Sequence, residues 1–197
     1  MNFLAHLALS GNRAEIMVGN LMGDFVKGRL DGRFPAGIQF GLELHRRIDR
    51  FAEDSEHFIR SRHRIDGRFG LFRGALVDLF YDHFLARNWR LYHKEPLLQF
   101  IDTSHRTVCR FSQVLPERLE QRLPELFGSW LPSYREVDGI DVVLKRMSAR
   151  FKRQNPMAEG AGELQRNYLT LAEDFLLFYP ELQTHVENLL GSFQDNE

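Results

Sequence analysis

Cysteine is almost missing from this chain. One, Cys109, occurs in 197 residues, which excludes a disulfide framework and a thiolate zinc cluster. In Thr-Val-Cys-Arg-Phe it is expected to be a buried structural thiol. No apolar run approaches the ~18 residues that a membrane span requires. The first residues, Met-Asn-Phe-Leu-Ala-His-Leu-Ala-Leu, lack a basic leader, and their apolar run is short for a signal peptide. A soluble, cytoplasmic protein is therefore expected, with no membrane partner. Net charge is also lacking, at −1, which argues against a general nucleic-acid binder. There is no period-2 strand pattern, no internal repeat and no low-complexity linker. G-x-S-x-G, P-loop and dinucleotide-binding fingerprints are absent as well.

What remains is helical. The stretch 73–90 has no proline and a single glycine near its start, and Leu76, Val77, Leu79, Phe80, Tyr81, Phe84 and Leu85 cover nearly its whole circumference. A helix apolar all round belongs in an interior. Earlier helices are expected at 13–27, 38–51 and 55–64, after a segment 2–9 that reads as a short helix or a buried extended run. Ser10-Gly11-Asn12 offers an N-cap, Asp54 another, and residues 28–37 read as a loop. Later helices are expected at 96–114, 116–123, from Pro124, from Asp138 or Asp141 through 153, and at 163–190 with an interruption at Pro180. Glu159-Gly160-Ala161-Gly162 reads as a loop. The expected fold is all-α, a single-domain helical bundle over 1–197, with polar motifs in 1–93 and helical packing in 94–197.

Three expected helices carry polar pairs four residues apart, Asn20/Asp24, His45/Asp49 and Asp78/Asp82, with His83 adjacent. Residues at i and i+4 share a face, and faces from separate helices can converge in a bundle core. Two carboxylates inside apolar sequence are costly without a cation or donors. Carboxylates and imidazoles without thiolates suit Mn²⁺, Mg²⁺, Fe²⁺ or Zn²⁺. The alternative is an Asp–Arg pair beside a satisfied core histidine. His57 and His63 read as solvated, Tyr81 and Trp89 as core aromatics. Arginine supplies 22 of the 26 basic residues, eight of them between Arg46 and Arg73. Arginine favours bidentate phosphate or carboxylate contacts.

Met1-Asn-Phe-Leu-Ala-His6, Gly19-Asn-Leu-Met-Gly-Asp24-Phe-Val-Lys-Gly28, Leu44-His45-Arg46-Arg47-Ile48-Asp49 and Asp78-Leu-Phe-Tyr-Asp82-His83-Phe-Leu together resemble the acyl carrier protein phosphodiesterase family. The resemblance implies hydrolytic removal of 4′-phosphopantetheine from holo-acyl carrier protein, with Mn²⁺ preferred. It also implies a distant relation to the helical HD phosphohydrolases, although the central pair here runs Asp82-His83 rather than His-Asp. On that basis Asp24, His45, Asp78, Asp82 and His83 are expected metal ligands, and Asp24, Asp82 and Arg46 are expected in catalysis. His6, Asn20 and Asp49 are expected as supporting or additional ligands. Lys27, Arg47, Arg50 and Arg73 are expected to contact phosphate or carrier protein. A phosphohydrolase acting on a nucleotide is the alternative activity.

Overall fold

A computed structural model describes residues 1–30 and 32–194. It is all-α, with no strand among the described residues. The N-terminal half runs α1 (Phe3–Ala8), α2 (Ala14–Met22), α3 (Ala36–Asp54), α4 (Glu56–Arg64), α5 (Phe72–Arg87) and α6 (Trp89–Tyr92). The C-terminal half holds α7 (Leu97–Cys109), α8 (Glu117–Glu120), α9 (Leu123–Glu125), the π-helical turn Leu126–Trp130, α10 (Leu131–Ser133), α11 (Val137–Ser148), α12 (Gly160–Arg166) and α13 (Tyr168–Gln194). No described helix is long and apolar enough to cross a membrane.

The core forms around α5, as its all-round apolar sequence requires. Leu76, Val77, Leu79, Phe80, Tyr81, Phe84 and Leu85 are all buried, between α1 on one side and α4 and α13 on others. Phe175 and Phe178 of α13 pack their rings on Tyr81, Phe175 also on Phe84, and Tyr179 stacks on Phe175. Buried Asp174 clamps α13 to α4, accepting from Arg60 Nε at 2.6 Å, Arg64 Nε at 3.0 Å and the Ser61 hydroxyl at 2.9 Å. Two of the eight clustered arginines are thus spent on packing, and Arg68 pairs with Glu159.

Several boundaries differ from the sequence reading. The first segment is helical, with Asn2 as its side-chain cap. Helix α2 begins after Arg13 rather than a Ser10–Asn12 cap, and ends at Met22. Ser55, not Asp54, precedes α4. The expected loop at 159–162 is helical, opening α12, because Gly160 packs against Leu76 and Leu144 where a side chain would clash. Pro180 does not interrupt α13. A proline inside a helix costs ~3 kcal/mol, yet Phe175, Phe178 and Tyr179 before it and Leu182 and Val186 after it are buried. Packing holds both halves in line. Cys109 is exposed, not buried, since α7 turns Ile101, Ser104 and Val108 inward instead. His57 is buried rather than solvated, beside Arg60 and Glu181.

Asp82 is fully buried and faces the start of α1. Its Oδ2 accepts from the Leu4 N–H at 2.7 Å and its Oδ1 from the Ala5 N–H at 3.1 Å. First-turn N–H groups have no partner within their own helix, so Asp82 supplies one to α1 across the core. Burial pushes this carboxyl up to about 7, and the two N–H donors offset only part of that. An acid whose folded pKa is raised favours the fold below its unfolded value, 3.8, and loses that advantage as pH rises through 7. Asp82→Ala is expected to destabilise by roughly 2–4 kcal/mol, since two buried donors lose their acceptor. Asp82→Asn should be clearly destabilising at pH 5 and less so at pH 8, because it has no charge to bury. Urea unfolding at both pH values checks this; a deficit that grows with pH refutes it.

Candidate active site

The site is made where α2 and α3 touch. A Cβ on Gly19 would lie 2.1 Å from the Ile38 carbonyl oxygen, and one on Gly41 would lie 2.3 Å from that of Ile16. Only glycine at both positions lets the two backbones meet. Just beyond the contact, a Cβ on Gly23 would sit 2.0 Å from Cγ of His45. That vacated space holds the imidazole.

His45 is fixed by its Nδ1–H, which donates to the Asn20 carbonyl oxygen at 2.8 Å. Its Nε2 therefore faces the cluster, 3.2 Å from Asp49 Oδ2 and 3.8 Å from Asp24 Oδ1. His6, on α1, stacks on it with ring centroids 3.9 Å apart. Asn20 uses its amide nitrogen as donor to the His6 carbonyl and to Ser10 Oγ. Its amide oxygen is thereby left to accept from His6 Nδ1–H at 2.9 Å. That places the lone pair of neutral His6 Nε2 against Asp49 Oδ1 at 3.3 Å and the Met1 carbonyl at 3.2 Å. The Met1 ammonium lies between Asp49 Oδ1 at 3.1 Å and Asp78 Oδ1 at 2.9 Å.

The electrostatics follow from this crowding. Burial works against protonated His45, but Asp24 and Asp49 outweigh it and raise its pKa to about 9. Burial, reinforced by repulsion from His45, lowers His6 to about 4. Burial tends to raise Asp49, yet His45, His6 and the Met1 ammonium hold it well below the usual carboxylate range. Without positive charge this centre is a set of converging lone pairs. One atom each of His6, His45 and Asp49 lie within 4.8 Å of one another. Both histidines give their other nitrogen to an oxygen of Asn20, the arrangement that orients metal-ligating imidazoles. Asp24, more than half exposed, borders the same space.

The other expected site residues divide. Asp78 lines the adjoining cleft, of about 660 Å³, together with Asp24, Asp49 and Lys27. Asp82, expected as a ligand and in catalysis, instead holds the start of α1. His83 faces away, its Nδ1 on the Tyr134 carbonyl and its Nε2 on the Tyr168 hydroxyl. Adjacent residues on a helix point about 100° apart, so Asp82 and His83 serve different neighbours. Arg46 donates to the Val26 and Gly28 carbonyls and so shapes the loop after α2. Arg47 and Arg50 are exposed on α3. Arg73 is half-buried, with an Nε that has no hydrogen-bond partner among the described residues. Sequence reasoning missed Arg118, Arg122 and Arg150, which line the cleft from the C-terminal half. The four-residue spacing of Arg118 and Arg122 was the available signal.

Fold and centre together define an all-α protein with a buried carboxylate–imidazole site. The sequence model of the family described as acyl carrier protein phosphodiesterase matches residues 1–182. Similar curated proteins carry that same name. One from Klebsiella pneumoniae subsp. pneumoniae is 33% identical over 190 residues, 95% of this chain and 98% of the relative. One from Photorhabdus laumondii subsp. laumondii is 30% identical over 95% of this chain and 96% of the relative. One from Pectobacterium atrosepticum is 32% identical over 92% of this chain and 95% of the relative. The chain belongs to the acyl carrier protein phosphodiesterase family. No solved structure matches it significantly.

Gly23 has helical backbone angles, φ −53° and ψ −38°, where alanine would ordinarily stabilise by about 0.4–1 kcal/mol. Here Gly23→Ala is expected to destabilise by roughly 1–3 kcal/mol, because the new methyl overlaps the His45 ring. Adding His45→Ala should recover part of that loss, a coupling that a double-mutant cycle of urea unfolding measures. Strict additivity would remove the steric argument.

Proposed function

We propose that this protein hydrolyses the phosphodiester that joins 4′-phosphopantetheine to the serine of holo-acyl carrier protein, with a divalent cation, Mn²⁺ foremost, held by His6 Nε2, His45 Nε2 and Asp49. The observation that carries the reading is the donor geometry. Two imidazoles tied at Nδ1 aim Nε2 at one carboxylate, an arrangement that a bound cation would relieve in place of the proton on His45 and the Met1 ammonium. Mg²⁺, Fe²⁺ and Zn²⁺ suit the same nitrogen–oxygen set. When bound, such a cation supplies Lewis-acid charge for a phosphoryl oxygen and lowers the pKa of a water.

The chain's own groups do the rest. Asp24 stands at the cleft edge of the cluster, where its carboxylate can orient the attacking water and take its proton. Water oxygen bonds to phosphorus and the phosphorus–serine oxygen bond breaks. The serine oxygen leaves as a hydroxyl after taking a proton from solvent water in the cleft. The products are apo-carrier protein and 4′-phosphopantetheine. Asp78 lines the cleft and pairs with the Met1 ammonium beside Asp49. Asp82 acts through α1, which carries His6. Names shared by the relatives support the carrier protein as substrate. A distant relation to HD phosphohydrolases remains part of this proposal.

His45→Ala and Asp49→Asn are each expected to lower Mn²⁺ content and to cut release of 4′-phosphopantetheine by at least 100-fold, roughly the loss of one transition-state contact of 3 kcal/mol. Elemental analysis and mass spectrometry of the carrier protein read both, with circular dichroism confirming helix content. Full metal occupancy in either variant overturns the ligand set. Hydrolysis of a nucleotide with no change in holo-carrier protein overturns the substrate.

Arg47 and Arg50 flank Asp49 on the exposed face of α3 and suit an acidic protein partner. Exposed charges are screened over about 8 Å at physiological salt. KM for holo-carrier protein is therefore expected to rise with salt, and Arg47→Glu with Arg50→Glu should flatten that dependence at a raised KM. An unchanged salt profile in the double variant removes these two from docking.

A further inference from the structure

The cleft beside the carboxylate–imidazole centre has a second lining, and it is cationic. Arg118 lies in α8, Arg122 immediately before α9, and Arg150 just beyond α11. All three border the cleft that Asp24, Asp49 and Asp78 also border. Among the described residues no carboxylate lies within 4.0 Å of a nitrogen of Arg118 or Arg122. Arg150 has only Glu125, at 3.0 Å, and shares it with Arg146.

Aromatic rings hold two of these guanidinium groups in place. That of Arg122 lies over Phe25, 5.5 Å from the ring centroid, and that of Arg150 over Trp130, 4.5 Å away. Phe25 directly follows Asp24, so Arg122 is carried next to the catalytic edge. A planar guanidinium on a ring face keeps its N–H edge free for a partner. Arg122 and Arg150 are also close enough to repel each other. Burial, followed by that repulsion, lowers Arg150 below its ordinary value. Converging cations with one shared carboxylate are unfavourable until an anion enters. A phosphoryl group matches their donors, since guanidinium and phosphate pair through two parallel hydrogen bonds.

We propose that Arg118, Arg122 and Arg150 form the anion site of the cleft and hold the phosphoryl group of the phosphodiester against the carboxylate–imidazole centre. The inference rests on the phosphodiesterase reading for its substrate, but not for its anion. Phe3, Phe25 and Trp130 line the same space. These rings offer apolar contact to the phosphate's substituent. The C-terminal half thus contributes recognition as well as packing. It also puts the phosphate contacts on residues distinct from the exposed Arg47 and Arg50, which face the partner protein.

The test uses the full chain without metal and inorganic phosphate as probe, followed by thermal shift and by NMR of the arginine side chains. Arg118→Gln with Arg122→Gln breaks no ion pair, so helix content should be unchanged. Phosphate affinity should fall roughly 10-fold or more, the loss of one or two charge-assisted hydrogen bonds. Arg118→Lys with Arg122→Lys should recover part of it, and Arg47→Gln with Arg50→Gln should leave it intact. With holo-carrier protein and Mn²⁺, the Gln pair should raise KM more than it lowers kcat. Phosphate bound equally by the wild type and the Gln pair, or not bound by the wild type, overturns the anion site. Phosphate bound through these arginines, with nothing released from holo-carrier protein, leaves the anion site standing and overturns the phosphodiesterase reading instead.

Discussion

Everything in the site depends on the contact of two backbones, α2 on α3, through Gly19 and Gly41. Helices normally stand 8–10 Å apart because side chains hold them there. Here the side chains are missing at both contact points, and the backbones meet. The consequence is chemical. The Asn20 carbonyl comes within 2.8 Å of His45 Nδ1, and that single bond decides which nitrogen of His45 faces the carboxylates. Three glycines spaced along one strip, Gly19, Gly23 and Gly41, convert a helix-packing detail into a ring orientation. Their cost is flexibility in the unfolded chain, about 0.5–1 kcal/mol each relative to alanine.

A second dependence runs through Asn20. Its one amide group serves His6 and Ser10 as donor and His6 Nδ1 as acceptor, and its backbone carbonyl serves His45. One buried residue therefore sets the tautomer of both stacked imidazoles. Burial makes that assignment firm, because an unmade hydrogen bond there has no water to replace it. Asp82 completes the support from the other direction by holding α1, and with it His6, against α5.

Much of this was legible in the residues, and the limits are instructive. The helical character of the chain, the interior place of α5 and the pairing of His45 with Asp49 follow from periodicity and i,i+4 spacing. The partner of Asp82 does not. Spacing says that Asp78 and Asp82 share a face, but not that α1 presents two bare N–H groups to the second of them. The importance of His6 was understated for a similar reason: it lies alone in a short apolar segment, and only the stacking on His45 brings it to the centre. Pro180 and the glycines of 160–162 misled because local propensity loses to packing when large buried side chains lie on both sides. The arginines between Arg46 and Arg73 looked like one patch. In three dimensions Arg60 and Arg64 are consumed by Asp174 and Arg68 by Glu159.

The cleft also explains why a nearly neutral chain can handle a charged substrate. Net charge measures the sum, whereas binding responds to the field at one place. Acids just after α2 and on α3 and α5, and arginines on α8, just before α9 and just after α11, line a single cleft, with no ion pair between the two sets among the described residues. Such separation is unfavourable in the empty protein. On the proposed reading it becomes favourable once a cation settles among the carboxylates and imidazoles and a phosphoryl group among the arginines, because each would then also attract the other. The two ligands should therefore bind with positive linkage. That linkage needs no conformational change, only two fixed sites of opposite sign close together in a poorly solvated cleft.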